Sequence, residues 1–155
     1  MQTRRDMIQH SALVAGLLAS AGLLPAVAQA QASAGRSAFD AKSMDEMLKA
    51  MGLSAKPVES KEVTLTGPDI AENGAVVPLG VASTAAGVKR LLLLVEKNPN
   101  ILAGVFEVSD AVEPNMSTRV KMGQTSNVYA VAITGDNKVL FAQKEVKVTL
   151  GGCGG

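Results

Sequence analysis

The residue best suited to chemistry is the single cysteine, Cys153, which stands third from the end of the chain. Two glycines flank it on each side: Gly151, Gly152, Gly154 and Gly155. Such a pentapeptide buries too little surface to offset the entropy of ordering it, so we expect residues 151–155 to form a flexible arm with an exposed thiol. Fully extended, the chain from Leu150 to Cys153 spans about 10 Å, which lets the sulfur enter a pocket of another protein.

No neighbouring group in the sequence is placed to activate this thiol. A nucleophilic cysteine needs a cation, a helix N-terminus or a base that lowers its pKa, and none adjoins Cys153. The one histidine, His10, lies in a segment that we expect to be removed, which excludes histidine-based catalysis and histidine-ligated metals in the mature chain. We therefore expect no catalytic residue, no metal site and no bound cofactor. A displayed, unactivated thiol suits a covalent carrier, since each receiving enzyme supplies the activation.

Other uses of a terminal cysteine can be compared with a carrier role. Prenylation requires a cysteine four residues from the end and a cytosolic enzyme, and a bacterial lipoprotein has its cysteine directly after the signal peptide. A lone cysteine also excludes an internal disulfide. A stable intermolecular disulfide remains open, because an oxidising compartment favours it. In that alternative the chain is an exported assembly or adhesion module joined to its partner through Cys153.

Length and composition are those of one folded domain. The chain has 155 residues, of which 47% are hydrophobic and 19% charged, too apolar a balance for intrinsic disorder. Lysine and arginine number 15 against 14 for aspartate and glutamate. This near-equality leaves no basic excess to neutralise phosphates, so we expect no nucleic acid partner.

The first 30 residues have the organisation of a twin-arginine signal peptide. The pair Arg4-Arg5 precedes a weakly hydrophobic run from Ser11 to Leu24, which is shorter than the roughly 20 residues that a membrane-spanning helix needs. Small residues spaced two apart then predict cleavage near Ala28 or Ala30. We expect export of the folded protein to the periplasm and no membrane attachment after cleavage.

A tether over residues 31–42 and a short amphipathic helix are predicted next. Ser43 and Glu46 form a capping box, and Gly52 supplies the helix end. The segment between Ser43 and Gly52 has one apolar stripe, made of Met44, Met47, Leu48 and Met51. We expect a helix over about residues 44–51, with its stripe packed against the core or a partner rather than holding a metal, because no other soft ligands cluster with it.

From Pro57 onward, hydrophobic and polar residues alternate, which predicts strands. The continuously apolar Leu91–Val95 is typical of a central strand, whereas Pro78 within the run from Val76 to Val81 favours an edge position. Further strands are predicted at Val63–Leu65, Val105–Val108, Thr118–Met122, Val128–Thr134 and Val139–Leu150. Seven or eight short strands predict a mainly β domain over residues 43–150, an immunoglobulin-like antiparallel β-sandwich with a short N-terminal helix and a flexible C-terminal arm.

Three smaller features are interpreted structurally rather than functionally. We interpret Asn73-Gly74 as a hairpin turn in preference to a partner contact. Tyr129 and Phe106 are predicted to be core residues, because large aromatic side chains are buried more often than they form a site.

Several segments resemble the SoxY family, the sulfur-carrier subunits of the periplasmic thiosulfate-oxidising system. The terminal Gly151-Gly152-Cys153-Gly154-Gly155, preceded by Lys144-Glu145-Val146-Lys147-Val148-Thr149, is the most specific of them. The internal segments are AENGAVVP at 71–78, KNPN at 97–100, STRV at 117–120 and TSNVYAVA at 125–132. The resemblance covers the signal and essentially all of the mature domain.

This resemblance implies a sandwich paired in a heterodimer with the companion subunit SoxZ. It implies that Cys153 carries thiosulfate-derived intermediates covalently and that the four glycines around it form a swinging arm. Further partners are then a c-type haem enzyme that couples thiosulfate oxidatively to the thiol, a dimanganese hydrolase that releases sulfate, and a sulfane oxidase where one is present. The chain itself is then a carrier and not an enzyme. A twin-arginine signal on a chain without a cofactor motif also favours a folded partner that is exported with it.

Overall fold

The computed structural model describes residues 36–150. The predicted signal peptide, the first part of the predicted tether and the predicted arm lie outside this range. After a helical turn at residues 36–39, the chain forms helix α1 (Met44–Ala50) and the following strands: β1 (Val58–Glu59), β2 (Val63–Thr66), β3 (Ile70–Ala71), β4 (Val77–Ser83), β5 (Val88–Val95), β6 (Leu102–Glu107), β7 (Asn115–Val120), β8 (Ser126–Thr134) and β9 (Val139–Val148).

The strands form two sheets that face each other across a hydrophobic core. The larger sheet has the order β1-β9-β8-β5-β6, with β3 also paired to β9, and the smaller has the order β2-β4-β7. All pairings are antiparallel except those of β1 and β3, which run parallel to β9 for two residues each. This arrangement is an immunoglobulin-like β-sandwich and confirms the predicted fold class.

Strand β5 lies in the middle of the larger sheet and is buried on both faces. It pairs with β6 on one side and β8 on the other, as the apolar run Leu91–Val95 predicts. Leu91 and Leu93 point into the core between the sheets, whereas Leu92 and Leu94 point into a second core on the outer face. A strand that is buried on both faces has no solvent-exposed face, so polar and apolar residues do not alternate along it. This explains the continuous run of leucines in β5.

The second core is covered by the N-terminal segment. Met47 and Leu48 of α1 are buried there, so the methionine stripe packs on the chain's own sheet. The helix begins as predicted, since Ser43 Oγ accepts a hydrogen bond from the Glu46 amide at 3.2 Å. The Glu46 carboxylate, however, accepts from the Lys42 amide at 2.9 Å rather than from Ser43. The helix end is also as predicted, because Gly52 has a φ of 76°.

The packed domain begins earlier than the predicted boundary at residue 43. Ala38 and Ala41, assigned in the sequence analysis to a tether, are 1% and 6% exposed and belong to the second core. The Ala41 carbonyl also accepts a hydrogen bond from the Ile101 amide at 3.2 Å. Small side chains gave this segment the composition of a linker, but the same small size lets its backbone approach the sheet closely.

The predicted edge position of the Pro78 strand is wrong for the strand as a whole. β4 is the central strand of the smaller sheet, between β2 and β7. At Pro78 itself, however, only β7 is paired, because the register with β2 ends at Thr66 opposite Gly80. Proline lacks an amide hydrogen, and it is tolerated here because one side of β4 is unpaired at that point.

The sandwich has two ends with different contents. Val146 pairs with Ser126 and Val77 with Val120 at the end where β9 finishes, so that end receives the loop before β4 and the loop between β7 and β8. The opposite end holds the loops around Gly87, Val112 and Gly135. Among residues 36–150, no helix is long and apolar enough to cross a membrane.

Candidate functional site

Strand β9 is the last strand before the predicted arm. The strand ends at Val148, and Thr149 and Leu150 complete the described part of the chain. Cys153 and the four glycines lie beyond it, so the prediction that they form a flexible arm falls outside the described residues. The structure does define the last point before the arm, and we call residues 147–150 the root.

The backbone of the root is held by the segment between β2 and β4. The Lys147 amide donates to the Asp69 carbonyl at 2.9 Å, and the Thr149 amide donates to the Ala71 carbonyl at 3.1 Å. The Leu150 carbonyl then accepts from the Gly74 amide at 2.7 Å. These bonds extend the parallel β3–β9 pairing up to the last residue before the glycines. The backbone is therefore held by hydrogen bonds as far as Leu150, the last described residue.

Side-chain hydroxyls connect two loops to the same place. Thr149 Oγ1 donates to the Glu72 carbonyl at 3.1 Å, and Thr125 Oγ1 accepts from the Val148 amide at 2.9 Å. The Gly74 carbonyl accepts from the Met122 amide at 2.7 Å, so Gly74 uses both of its backbone polar groups. Three segments of the chain meet here: the root, the residues around Gly74, and the loop from Met122 to Thr125. The root is therefore connected by hydrogen bonds to segments that adjoin both sheets.

Asn73-Gly74 is a turn, but the hairpin interpretation is wrong. The Asn73 side chain accepts from the Ala75 amide at 2.8 Å, which is the local geometry of an Asx turn. The strands on either side, β3 and β4, do not pair with each other, since β3 pairs with β9 and β4 with β2 and β7. The turn therefore connects a strand of the larger sheet to a strand of the smaller sheet. Within it, the Gly74 amide donates the hydrogen bond to the Leu150 carbonyl.

An ion pair fastens the same segment to β9. Lys144 Nζ lies 2.8 Å from Asp69 Oδ1 and also donates to the Gly67 carbonyl at 2.8 Å. The hydrogen bond and the charge of Lys144 lower the pKa of the Asp69 carboxyl below its ordinary value. Lys144 of β9 thus binds both Gly67 and Asp69, the two ends of this turn, and holds the turn against β9.

Sequence reasoning predicted an arm at residues 151–155, which lie outside the described range, but it did not predict the residues that hold the root. Gly74, Thr125 and Thr149 are separated by long stretches of chain, and a contact between residues 72 and 149 leaves no periodic pattern. Local patterns in the segment 71–78 predict a turn and a strand, and only its resemblance to the family points beyond local structure.

The two aromatic residues predicted to be core are both partly buried. Phe106 packs against the core between the sheets. Tyr129 packs against the second core and stacks at a tilt on Phe141, with ring centroids 6.0 Å apart. Burial, followed by the charge of Glu96, raises the pKa of the Tyr129 hydroxyl. Neither side chain lies at the root.

The described part of the chain brings no catalytic set to the root. Over residues 36–150, no three histidine, cysteine, aspartate or glutamate side chains are grouped to hold a metal ion. A cavity of about 520 Å³ lies at the opposite end, beside Gly87, Asp136 and Lys138. A second, of about 340 Å³, lies between Met44, Tyr129 and Phe141. At the root, the geometry holds the backbone in place up to Leu150.

Comparisons with known proteins agree with one another. The sequence model of the family described as "Sulfur oxidation protein SoxY" matches residues 48–153, a range that ends at the cysteine. The solved structure of the sulfur carrier protein SoxY from Chlorobium limicola f thiosulfatophilum is 33% identical, with a TM-score of 0.61, over 68% of this chain and 94% of that one. No curated protein matches the sequence.

A more distant likeness concerns the fold alone. A superoxide reductase (neelaredoxin) from Ignicoccus hospitalis is 18% identical, with a TM-score of 0.50, over 56% of this chain and 79% of that one. At this identity the sandwich is shared and nothing follows about activity. The family match covers the last three residues of α1 and the domain as far as Cys153, and the SoxY structure is 33% identical over 68% of the chain, so the chain belongs to the SoxY family of sulfur oxidation proteins.

Proposed function

We propose that this protein is a covalent sulfur carrier that holds thiosulfate-derived intermediates on Cys153 and presents them to partner enzymes. The observation that carries the proposal is the family match, which runs through the sandwich and ends at the single cysteine. The fixed root supports it, because hydrogen bonds hold the chain as far as Leu150 and only glycines separate that residue from Cys153. The carrier itself catalyses no step.

The chemistry is divided between the carrier and its partners. In loading, the Cys153 thiol loses a proton and forms an S–S bond with the outer sulfur of thiosulfate, while two electrons pass to a c-type haem enzyme. In release, a dimanganese hydrolase adds the oxygen of water to the sulfonate sulfur, the bond between the two sulfurs of the former thiosulfate breaks, and sulfate leaves. A persulfide then remains on Cys153 for a sulfane oxidase where one is present. Haem and manganese belong to those enzymes, and this chain contributes the thiol.

We also propose the setting in which the carrier works. The twin-arginine pattern at residues 1–30 supports export of the folded chain to the periplasm. Membership of the family supports a heterodimer with a SoxZ-like companion subunit. The methionine stripe of α1 gives this pairing no support, because it is buried against the chain's own sheet.

An intact-mass spectrum tests the carrier role. Protein purified from cells grown with thiosulfate is compared with a Cys153→Ser variant from the same growth. We expect sulfur adducts on the wild-type chain that disappear on reduction, and none on the variant. The control is protein from cells grown without thiosulfate.

A different spectrum would support the alternative. A single constant mass of the chain linked by a disulfide to one other protein, with or without thiosulfate, contradicts the carrier role. It would make the protein an exported assembly or adhesion module.

A further inference from the structure

A cavity lies between the start of α1 and the outer face of the larger sheet. Its volume is about 340 Å³, within the range of roughly 300–1,000 Å³ that is typical of small-molecule sites. Its walls include Lys42, Met44, Glu96, Ile101, Tyr129 and Phe141. None of these residues belongs to the root, and the carrier function uses none of them. We call this space the α1 cavity.

Part of the α1 cavity is apolar. The apolar wall packs on the second core and consists of Met44, Ile101, Tyr129 and Phe141. The rings of Tyr129 and Phe141 are tilted by 57° to each other, with centroids 6.0 Å apart. Such a wall favours an aliphatic group, because the free energy of burial scales with the apolar area removed from water.

The same cavity has one charged group of each sign, and neither forms an ion pair within residues 36–150. The Glu96 carboxylate accepts a hydrogen bond from Asn127 Nδ2 at 2.8 Å. Lys42 Nζ donates to two neutral acceptors, the Pro99 carbonyl at 2.6 Å and Asn100 Oδ1 at 2.7 Å. Because a carboxylate accepts several hydrogen bonds and an ammonium group donates three, both groups can still bind an opposite charge.

This combination of groups determines the class of ligand. A divalent metal ion needs several oxygen ligands, and Glu96 is the only carboxylate among the described residues of the walls. A simple cation would meet the charge of Lys42, and a simple anion would meet that of Glu96. A zwitterion with an aliphatic side chain matches all three features of the cavity. An amino acid such as leucine has an ammonium group, a carboxylate and an aliphatic side chain on one carbon atom.

We propose that the α1 cavity binds a free amino acid with an aliphatic side chain. The ammonium group of the ligand donates to the Glu96 carboxylate, and its carboxylate accepts from Lys42. Lys42 belongs to the N-terminal segment, whereas Glu96 directly follows β5, so the ligand fastens this segment to the sheet. A ligand that binds only the folded protein also stabilises it. This inference does not depend on the carrier function.

The chain contains its own reporter for this binding. Tyr129 is the only tyrosine and there is no tryptophan, so tyrosine emission comes from the cavity alone. L-Leucine is titrated into the purified protein, and the change in emission gives Kd. Two analogues then test the two ends of the ligand. The first, 3-methylbutylamine, lacks the carboxylate, and the second, 4-methylpentanoate, lacks the ammonium group.

We expect saturable binding of leucine with a Kd in the millimolar range, because exposed charge pairs contribute little. Each analogue should bind about tenfold more weakly, since it loses one charge-assisted hydrogen bond. Glu96→Gln should raise the Kd of leucine about tenfold but should not raise that of 4-methylpentanoate, which has no ammonium group. The matched control is Glu113→Gln, which replaces an exposed carboxylate outside the cavity and should leave Kd unchanged.

Three results would overturn the proposed site. In the first, neither the emission of Tyr129 nor the midpoint of denaturant unfolding changes up to the solubility limit of leucine, so the amino acid does not bind. In the second, leucine and both analogues bind equally, so the charged groups of the cavity recognise nothing. In the third, Glu96→Gln leaves the Kd of leucine unchanged, so the ammonium group does not contact Glu96.

Discussion

At the scale of single residues, Lys144 and Asp69 offer a direct test of how the root is held. The lysine lowers the pKa of the Asp69 carboxyl, so the pair contributes stability above the ordinary aspartate value of 3.8 and loses it as pH falls through the lowered folded value. In Lys144→Met we expect the Asp69 pKa to move back up towards 3.8. A carboxyl-detected NMR titration measures this, with Lys89→Met as control, because Lys89 pairs with Asp110 instead. An unchanged Asp69 titration in Lys144→Met would show that the pair does not form.

Gly52 allows a second test at this scale. Its φ of 76° lies in the left-handed region that side chains disfavour, and no atom lies within 4 Å of an added Cβ. Gly52→Ala should therefore lower the free energy of unfolding by about 1 kcal/mol through backbone strain alone. Gly123 is the matched control, because it has equal space and no positive φ, and Gly123→Ala should cost less than about 0.5 kcal/mol. Equal effects of both substitutions in denaturant unfolding would contradict the strain argument.

At the scale of elements, helix α1 is part of the domain's stability rather than an accessory. Met47 is 0% exposed and packs with Leu92 and Leu94 on the outer face of the larger sheet. We expect Met47→Ala to lower the free energy of unfolding by about 2–5 kcal/mol, as other truncations of large buried side chains do. Lys49→Ala, on the exposed side of the same helix, should change it by about 0.5 kcal/mol or less. A small effect of Met47→Ala would mean that the helix separates readily from the sheet.

Elements with a local signal were predictable from the sequence, and those formed by distant contacts were not. The leucine run of β5 and the cap of α1 each depend on residues that are neighbours in the sequence, so the sequence predicted both. Two-residue strands such as β3 are too short for a period of two to be visible. The burial of Ala38, likewise, depends on which sheet face the segment covers, and its own composition does not encode that choice.

The candidate site divides in the same way. The glycine-flanked cysteine is conspicuous in the sequence, whereas the grip of Gly74 on Leu150 joins residues 76 positions apart. That hydrogen bond holds the last described residue in place, and only the folded chain reveals it.

At the scale of the whole molecule, domain and arm should be energetically independent. The bonds that hold the root use backbone groups up to the Leu150 carbonyl, and no core side chain of the described residues lies beyond Val148. We expect deletion of residues 151–155 to leave the unfolding temperature nearly unchanged while sulfur loading disappears. Hydrogen exchange should still find the Gly74 amide protected, since its acceptor remains. A marked loss of stability would mean that the terminal residues pack on the domain.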